Sequence, residues 1–327
     1  MSQTSWFKNC LRVIQKEDGG LWPVRFTEAQ FDAYRSSEAR HIRSLCASGA
    51  MIDIVTDSAT LTFDYSIGGA ARNWLYFDLY IDGMFVQSSG QAPITDKQGT
   101  FYVDLTSFCG TSADKRHVSL YLPHLVEMTL YNIQLSAGAS AEPAAPRAKN
   151  LLALGDSITQ GMDAKRPAAA YPLLVAQALD MHVLNHGVGG YVFNASSIDP
   201  TMFYQPDLIT VAYGTNDWNS YQTIDALREA CIAYMDKLTQ TYPGVPVLFL
   251  TPIWRKDWNE PKPMGTFAQL CAILGDIAAS YAQVRVLDGL KLVPHQLLFM
   301  GDGVHPNDEG FQYMANGIVR AIEQGKM

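Results

Sequence analysis

The stretch Leu151–Gly161, LLALGDSITQG, decides the fold of the larger part of this chain. Its apolar run has the length of one buried strand and ends in a Gly-Asp-Ser turn, and a helix-compatible segment follows from about Pro167 to Leu179. This order places Ser157 at the carboxyl end of a strand, where open α/β sheets bind ligands. Backbone N–H groups of the turn would lie near its hydroxyl and could stabilise an anion. Ser157 is therefore a candidate nucleophile, although Gly-Asp-Ser is also an ordinary turn sequence.

A second motif, Asp302–Pro306 with the sequence DGVHP, lies near the far end of the chain. A serine hydroxyl needs a base to take its proton, and that base needs an acceptor on its other ring nitrogen. His305 and Asp302 are candidates for this pair. The alternative is a helix cap with an exposed His305, because an amphipathic helical pattern follows at Phe311, Met314, Ala315, Ile318, Val319 and Ile322.

Two segments between these motifs could supply donors for an oxyanion. Residues 183–190, VLNHGVGG, run from a short strand into a glycine-rich loop whose backbone can approach a substrate closely. Residues 207–217, DLITVAYGTND, form an apolar strand and a polar turn in which Asn216 could present its side-chain amide. Taken singly, each segment also fits ordinary turn chemistry.

Together the four segments resemble the SGNH hydrolase superfamily, also called the GDSL esterases and lipases. They carry Gly-Asp-Ser, Asn-x-Gly-x-x-Gly, Gly-x-Asn-Asp and Asp-x-x-His-Pro in that order, between about Lys149 and Met327. The resemblance implies Ser157 as nucleophile and His305 as general base, oriented by Asp302.

The same resemblance implies an oxyanion hole made of the Ser157 N–H, the Gly190 N–H and the Asn216 side chain. Gly190 is preferred to Gly189 because it stands five residues after Asn185, the spacing seen in family members. His186 departs from the small residue often found there. It is a possible rival base, and its place inside the glycine loop favours a structural or substrate-facing role.

The pattern after Ser157 alternates strand-like and helical segments, which predicts a parallel sheet covered by helices. The resemblance adds a flavodoxin-like strand order in a three-layer α/β/α domain. Strands are expected near residues 151–154, 182–184, 208–213, 245–251 and 284–287, with helices near 224–239 and 266–281.

The first part of the chain predicts an all-β domain. Between residues 51 and 134, short runs rich in β-branched and aromatic residues are broken by turn residues, and Asp82-Gly83 is a strong hairpin signal. We expect a β-sandwich or jelly-roll domain over residues 1–136. Residues 137–149, rich in Ala, Ser, Gly and Pro, read as a linker, and residues 150–327 as the catalytic domain.

A β-sandwich before an SGNH domain resembles the carbohydrate esterases of family two. That resemblance implies an O-acylated sugar as substrate. Aromatic rings offer flat apolar faces to sugars, so Tyr191, Trp218 and Trp254 are candidate substrate-binding residues, as is Asp156 beside the serine. The alternative is that these aromatic residues pack in the core or loops.

Composition restricts the partners. The net charge of −8 argues against a nucleic-acid partner, and no apolar run is long enough to span a bilayer. The first residues lack the features of a secretory signal, and five scattered cysteines suit a reducing compartment, so a cytoplasmic enzyme is expected. No spacing indicates a metal site, the predicted chemistry needs no cofactor, and no motif indicates an oligomeric state.

The sequence thus predicts a serine esterase that hydrolyses short acyl esters, above all acetyl esters of carbohydrate, through an acyl-enzyme. One alternative is a lipase, lysophospholipase or thioesterase with the same catalytic residues. Another is a carbohydrate-binding protein with an inactive catalytic core. A phosphate-binding turn is the least favoured, because Gly155–Gly161 lacks the Gly-Lys-Ser/Thr ending of a nucleotide-binding loop.

Overall fold

The computed structural model describes residues 2–109, 115–260 and 262–325. Its strands are β1 (Phe7–Lys8), β2 (Arg12–Gln15), β3 (Leu21–Val24), β4 (Met51–Thr56), β5 (Thr60–Ala70), β6 (Leu75–Ile81), β7 (Met84–Gln91), β8 (Gln98–Asp104), β9 (Arg116–Tyr121), β10 (Val126–Leu135), β11 (Ala141–Pro143), β12 (Lys149–Gly155), β13 (Met181–Gly187), β14 (Leu208–Ala212), β15 (Val247–Leu250) and β16 (Val284–Leu287). Its α-helices are α1 (Glu28–Tyr34), α2 (Glu38–Leu45), α3 (Thr106–Cys109), α4 (Ser157–Gln160), α5 (Tyr171–Ala178), α6 (Asp217–Ser220), α7 (Ile224–Thr241), α8 (Phe267–Ala279) and α9 (Asp308–Glu323).

By its internal packing the chain divides into two compact units. The division does not follow chain order, because Phe26–Ser44, with α1 and most of α2, belongs to the second unit. From the sequence, this segment was expected in the N-terminal domain. The first unit comprises Met1–Arg25, Leu45–Pro146 and Arg166–Ala168, and the second comprises Phe26–Ser44, Arg147–Lys165 and Ala169–Met327.

The first unit contains two antiparallel sheets, which confirms the predicted β-sandwich. One sheet has the strand order β1-β4-β9-β6-β7, with β11 paired to β4, and the other has the order β2-β3-β10-β5-β8. Apolar side chains of both sheets share one buried core, in which Phe63 and Phe77 contact each other and Phe101. The hairpin turn at Asp82-Gly83 joins β6 to β7, and both residues have positive φ angles, 51° and 79°, as a tight hairpin of this type requires.

The second unit contains a parallel sheet with the order β13-β12-β14-β15-β16. Numbered from β12, this is the flavodoxin-like order 2-1-3-4-5, which confirms the predicted fold class. Helix α5 packs against α9, and α7 packs against α8, giving the helical layers of a three-layer domain. In the described part of the chain, no helix is both long and apolar enough to cross a lipid bilayer.

The sheet edge at the carboxyl ends of β12, β13 and β14 carries the predicted motifs. Residues Leu151–Leu154 of β12 are all buried, as expected of a strand covered on both faces. Gly155 at the end of β12 is in register with Gly187 on one side and Ala212 on the other. The three turns that follow these strands therefore begin at the same level of the sheet.

Candidate active site

Ser157 is fixed by the sharp turn between β12 and α4. The Asp156 side chain caps this short helix, since its Oδ1 accepts a hydrogen bond of 2.9 Å from the Ile158 N–H. Gly155 has no room for a side chain, because a Cβ there would lie 2.0 Å from Thr159 Oγ1. Ser157 is only 4% exposed. The turn therefore holds the serine hydroxyl in one place at the edge of the sheet.

The Ser157 hydroxyl ends a chain of three hydrogen-bonded side chains. His305 Nε2 lies 2.8 Å from Ser157 Oγ, and His305 Nδ1 lies 2.8 Å from Asp302 Oδ2. When Nδ1–H donates to the carboxylate, Nε2 presents its lone pair to the hydroxyl and can accept the serine proton. The fold thus brings together side chains from motifs that are 148 residues apart.

Asp302 also organises the loop that carries His305. Its Oδ1 accepts hydrogen bonds of 2.9 Å from the backbone N–H groups of Val304 and His305. Burial alone would raise the pKa of Asp302, but the hydrogen bonds from the His305 side chain and from the backbone outweigh it and hold the pKa well below its ordinary value. Asp302 is therefore an anion at neutral pH, as the partner of an imidazolium should be.

A second carboxylate approaches the same imidazole. Asp163 Oδ2 lies 3.8 Å from His305 Nδ1, and its side chain is 10% exposed. In the described part of the chain, Asp163, Asp302 and His305 form the one group of acidic, His and Cys residues whose ligand atoms are close enough to share a metal ion. Both ring nitrogens of His305 already contact Asp302 and Ser157, so we assign Asp302 and His305 to the hydrogen-bonded chain, with Asp163 beside it.

The glycine loop after β13 places a backbone donor at this edge. Gly190 has a φ angle of +76°, which favours glycine, and its N–H has no acceptor among the described residues. The buried side chain of Asn185 fixes the start of this loop. Its Oδ1 accepts from the Gly187 N–H at 2.8 Å, and its Nδ2 donates to the Thr159 carbonyl at 2.8 Å. The buried asparagine of the motif thus supports the turn.

Asn216 lies at the third strand end, in the turn before α6. Its Nδ2 donates to the Tyr191 carbonyl at 3.1 Å and contacts Asp156 Oδ2 at 3.3 Å. Both amide hydrogens are therefore directed at protein acceptors. The contact with Asp156 is the longer of the two, so that hydrogen is the one more easily released to a substrate oxygen.

Two buried carboxyl groups lie behind this edge. Burial raises the pKa of Asp156 to about 7, and it raises the pKa of Asp217 to about 7. Asp217 holds two loops, since its oxygens accept from the Phe193 N–H at 2.9 Å and from the Gly214 N–H at 3.0 Å. Asp156 is 1% exposed. The structure therefore gives Asp156 a capping and buried role, in contrast to the substrate-binding role expected from the sequence.

His186 is a packing residue in this structure. Its side chain is 2% exposed, and its ring lies against Phe26 with a centroid distance of 4.4 Å. Its Nδ1 lies 3.5 Å from Gln30 Nε2. The partners Phe26 and Gln30 come from the N-terminal segment that joins the second unit, which explains why a larger residue than usual fits in the glycine loop.

The candidate aromatic residues are also buried, which corrects the expectation that they face a sugar. Tyr191 is 1% exposed and packs edge-on against Tyr34. Trp218 is 1% exposed, and its Nε1 donates to the Gly265 carbonyl at 3.0 Å. Trp254 is 7% exposed and stacks on His295 at a centroid distance of 5.6 Å. The loops fold over these rings, so a position just beyond a strand end did not imply exposure.

Asp163 and the helix α2 were not predicted from the sequence. Asp163 has a φ angle of +68°, which aspartate tolerates better than most residues, but no motif marked it. Two arginines of α2, Arg40 and Arg43, contact the carbonyl groups of the glycine loop. No local pattern could have shown these contacts, because they join residues about 150 positions apart.

Comparison with known families identifies a hydrolase domain in the same part of the chain. Residues 153–313 match the model of the GDSL-like Lipase/Acylhydrolase family. The matched segment begins within β12 and contains all four motifs, from Gly-Asp-Ser to Asp-x-x-His-Pro. No curated protein matches the chain in sequence.

Solved structures share the fold over nearly the whole chain. Salicylyl-acyltransferase SsfX3 from a tetracycline biosynthetic pathway is 20% identical with a TM-score of 0.77, covering 97% of this chain and 94% of that chain. A protein from Bacteroides ovatus described as a GDSL-like lipase is 17% identical with a TM-score of 0.72 and the same coverage. A family two carbohydrate esterase from Clostridium thermocellum is 15% identical with a TM-score of 0.64, covering 86% of this chain and 95% of that chain.

Fold and family together define the class of the second unit as an SGNH serine hydrolase acting on ester bonds. Residues 153–313 form a GDSL-like lipase/acylhydrolase domain.

Proposed function

We propose that this protein hydrolyses short acyl esters, above all acetyl esters of carbohydrate, with Ser157 as nucleophile. The observation that carries the proposal is the hydrogen-bonded chain Ser157–His305–Asp302, with 2.8 Å at each link. In this arrangement His305 accepts the hydroxyl proton while Ser157 Oγ attacks the ester carbonyl, and Asp302 stabilises the resulting imidazolium.

The negative oxygen of the tetrahedral intermediate is held by the N–H groups of Ser157 and Gly190 and by Asn216 Nδ2. The unused N–H of Gly190 is the strongest support for this assignment. Collapse of the intermediate breaks the bond to the leaving alcohol, which takes the proton from His305. Water then attacks the acyl-enzyme and gives a proton to His305. His305 returns that proton to Ser157 Oγ as the bond between the acyl carbon and Oγ breaks, which releases the acid and regenerates Ser157.

Two features support a small polar substrate over a long-chain lipid. The carboxylates of Asp163 and Asp302 lie beside His305 Nδ1 and make that side of the histidine polar. The neighbouring folds include family two carbohydrate esterases, one of them in complex with cellohexaose. An O-acetylated sugar fits both features.

A chain-length series tests the substrate class. Hydrolysis of nitrophenyl acetate, butyrate and octanoate should favour acetate, and acetylated xylose should release acetate. A preference for octanoate would indicate a lipase instead. Sugar binding without turnover would indicate the carbohydrate-binding alternative.

Ser157→Ala is the matched control for these assays, because it removes one oxygen and leaves the α4 cap intact. It should keep the fold and lose the turnover. One structural neighbour is an acyltransferase by its name, so an alcohol acceptor should be added to the acetate assay. Acyl transfer to that alcohol in preference to water would replace hydrolysis with transfer as the proposed reaction.

We also place the enzyme in a reducing, cytoplasmic compartment without nucleic-acid or membrane partners. Free thiols at four described cysteines, Cys10, Cys46, Cys231 and Cys271, support this location. Fractionation of producing cells with antibody detection tests it, and activity in the secreted fraction would contradict it.

A further inference from the structure

Helix α2 contacts the glycine loop through two guanidinium groups. Arg43 Nη1 donates to the Gly189 carbonyl at 2.9 Å, and Arg40 Nε donates to the Gly190 carbonyl at 3.1 Å. These contacts lie within the second unit, to which residues 26–44 belong. The carbonyl oxygens of the loop are therefore turned toward α2.

The contact of Arg43 determines where the Gly190 N–H points. In a trans peptide the C=O of one residue and the N–H of the next point in opposite directions. Because Arg43 holds the Gly189 oxygen, the Gly190 N–H is directed away from α2 and stays free of protein acceptors. A glycine-glycine peptide has little intrinsic preference for one orientation, so an external hydrogen bond is needed to fix it.

The preceding peptide, between Val188 and Gly189, is held by Gln160, which also contacts α2. Gln160 is fully buried, its Oε1 accepts from the Gly189 N–H at 2.9 Å, and its Nε2 donates to the Arg43 carbonyl at 2.9 Å. Gln160 also ends α4, the helix that begins at Ser157. The serine turn, the glycine loop and Arg43 thus form one connected set of hydrogen bonds.

The peptide that Arg40 holds has another anchor. The Tyr191 N–H, on the other side of that peptide, donates to the Val188 carbonyl at 3.1 Å. Among the described residues, the peptide between Gly189 and Gly190 has no bond other than the one from Arg43. Loss of Arg43 should therefore matter more than loss of Arg40.

We propose that Arg43 is a positioning residue of the oxyanion hole, which holds the Gly189–Gly190 peptide so that the Gly190 N–H faces the substrate carbonyl. This inference rests on the proposed ester hydrolysis by Ser157. Arg43 touches no reacting atom, and it acts through the loop backbone. Its positive charge also polarises the peptide, which strengthens the N–H as a donor to an oxyanion.

The test compares Arg43→Met with the wild type. Methionine keeps an apolar stem of similar shape and removes the guanidinium donor. We expect kcat per active site to fall about tenfold to a hundredfold, somewhat less than the loss of a whole oxyanion donor, while KM changes less than about threefold. Active sites are counted by labelling with a fluorophosphonate, so that a poorly folded fraction does not contribute.

A tetrahedral inhibitor separates positioning from a merely structural role. A trifluoromethyl ketone forms an oxyanion on the serine, so its inhibition constant should rise in proportion to the fall in kcat/KM. Arg40→Met should show a smaller effect. Arg35→Met is the charge-matched control, since Arg35 is an exposed residue of the segment that pairs with Glu28 and Asp32, and it should leave kcat unchanged.

The outcomes distinguish this inference from the proposed function. A wild type that the fluorophosphonate does not label overturns both. A labelled Arg43→Met variant with wild-type kcat and inhibitor affinity overturns the role of Arg43 alone. If Arg43→Met labels too little protein to assay, Arg43→Leu, which also lacks a donor, takes its place with the same expectations and the same contradicting result.

Discussion

Asp163 Oδ2 lies 3.8 Å from Nδ1 of His305, the ring nitrogen that Asp302 binds at 2.8 Å. His305, the proposed base, thus has one carboxylate in direct contact and a second within reach. If the Asp302 carboxylate is removed, a small rotation of the imidazole or of Asp163 would bring the Asp163 carboxylate into hydrogen-bond distance of His305.

This arrangement predicts non-additive effects of the two aspartates. Asp163→Asn alone should lower kcat less than about threefold. Asp302→Ala should lower it about ten- to a hundredfold, less than the roughly 10⁴-fold loss known for a triad with one carboxylate. The double variant should lose at least about tenfold more than the two single effects combined. Additive effects in this double-mutant cycle would show that Asp163 does not support the base.

Removal of the Asn216 amide should affect catalysis more than substrate binding. Asn216→Ala should lower kcat by about a hundredfold or more if Nδ2 turns from Asp156 to the oxyanion in the transition state. KM for nitrophenyl acetate should change little. An unaffected kcat in a folded Asn216→Ala variant would leave the two backbone N–H groups as the whole oxyanion hole.

Because of the buried carboxyl groups, we expect the free energy of unfolding to fall as the pH rises from mildly acid to neutral. Burial raises the pKa of Asp156 from 3.8 to about 7, so between these values the folded state binds more protons than the unfolded state. The free energy of unfolding is then greatest near or below pH 4 as far as this group is concerned, and it falls as pH rises to about 7. One such carboxyl contributes a slope of at most about 1.4 kcal/mol per pH unit.

Urea unfolding at several pH values between 5 and 8 measures this slope. Asp156→Asn keeps the Oδ1 acceptor for the Ile158 N–H and cannot ionise, so its stability should depend less steeply on pH. Identical slopes in the variant and the wild type would show that Asp156 ionises normally in the folded protein.

His186 should matter for stability and not for proton transfer. His186→Ala leaves a cavity beside Phe26 and removes the contact with Gln30, so the free energy of unfolding should fall by about 2–4 kcal/mol. The kcat per labelled active site should stay within about threefold of the wild type at low temperature. A folded variant that no longer reacts with a fluorophosphonate would make His186 a rival to His305.

The sequence predicted the sheet of the second unit well because its central strands, β12, β14 and β15, are buried on both faces. Residues 151–154, 208–213 and 284–287 read as short apolar runs, and the structure has strands at Lys149–Gly155, Leu208–Ala212 and Val284–Leu287. The catalytic motifs were readable for a related reason. Three of them follow strand ends of one parallel sheet and the fourth directly precedes the last helix, α9.

The role of the segment from Phe26 to Ser44 could not be read in the same way. Its helices are short and mostly polar, and they are stabilised by distant partners, such as the Ser197 carbonyl that accepts from Gln30 at 2.9 Å. The burial of Tyr191 and Trp218 depended on such contacts too. Local sequence patterns predict strand ends and turns. Whether the side chains of a loop are buried depends on segments that are far away in the sequence.

The central claim, that Ser157 is a nucleophile activated by His305, is tested most directly by covalent labelling. The protein is treated with a fluorophosphonate, and the modified peptide is located by mass spectrometry in the wild type, Ser157→Ala and His305→Ala. We expect stoichiometric modification of Ser157 in the wild type, none in Ser157→Ala and very slow modification in His305→Ala. Modification of a different residue, or equally fast labelling without His305, would contradict it.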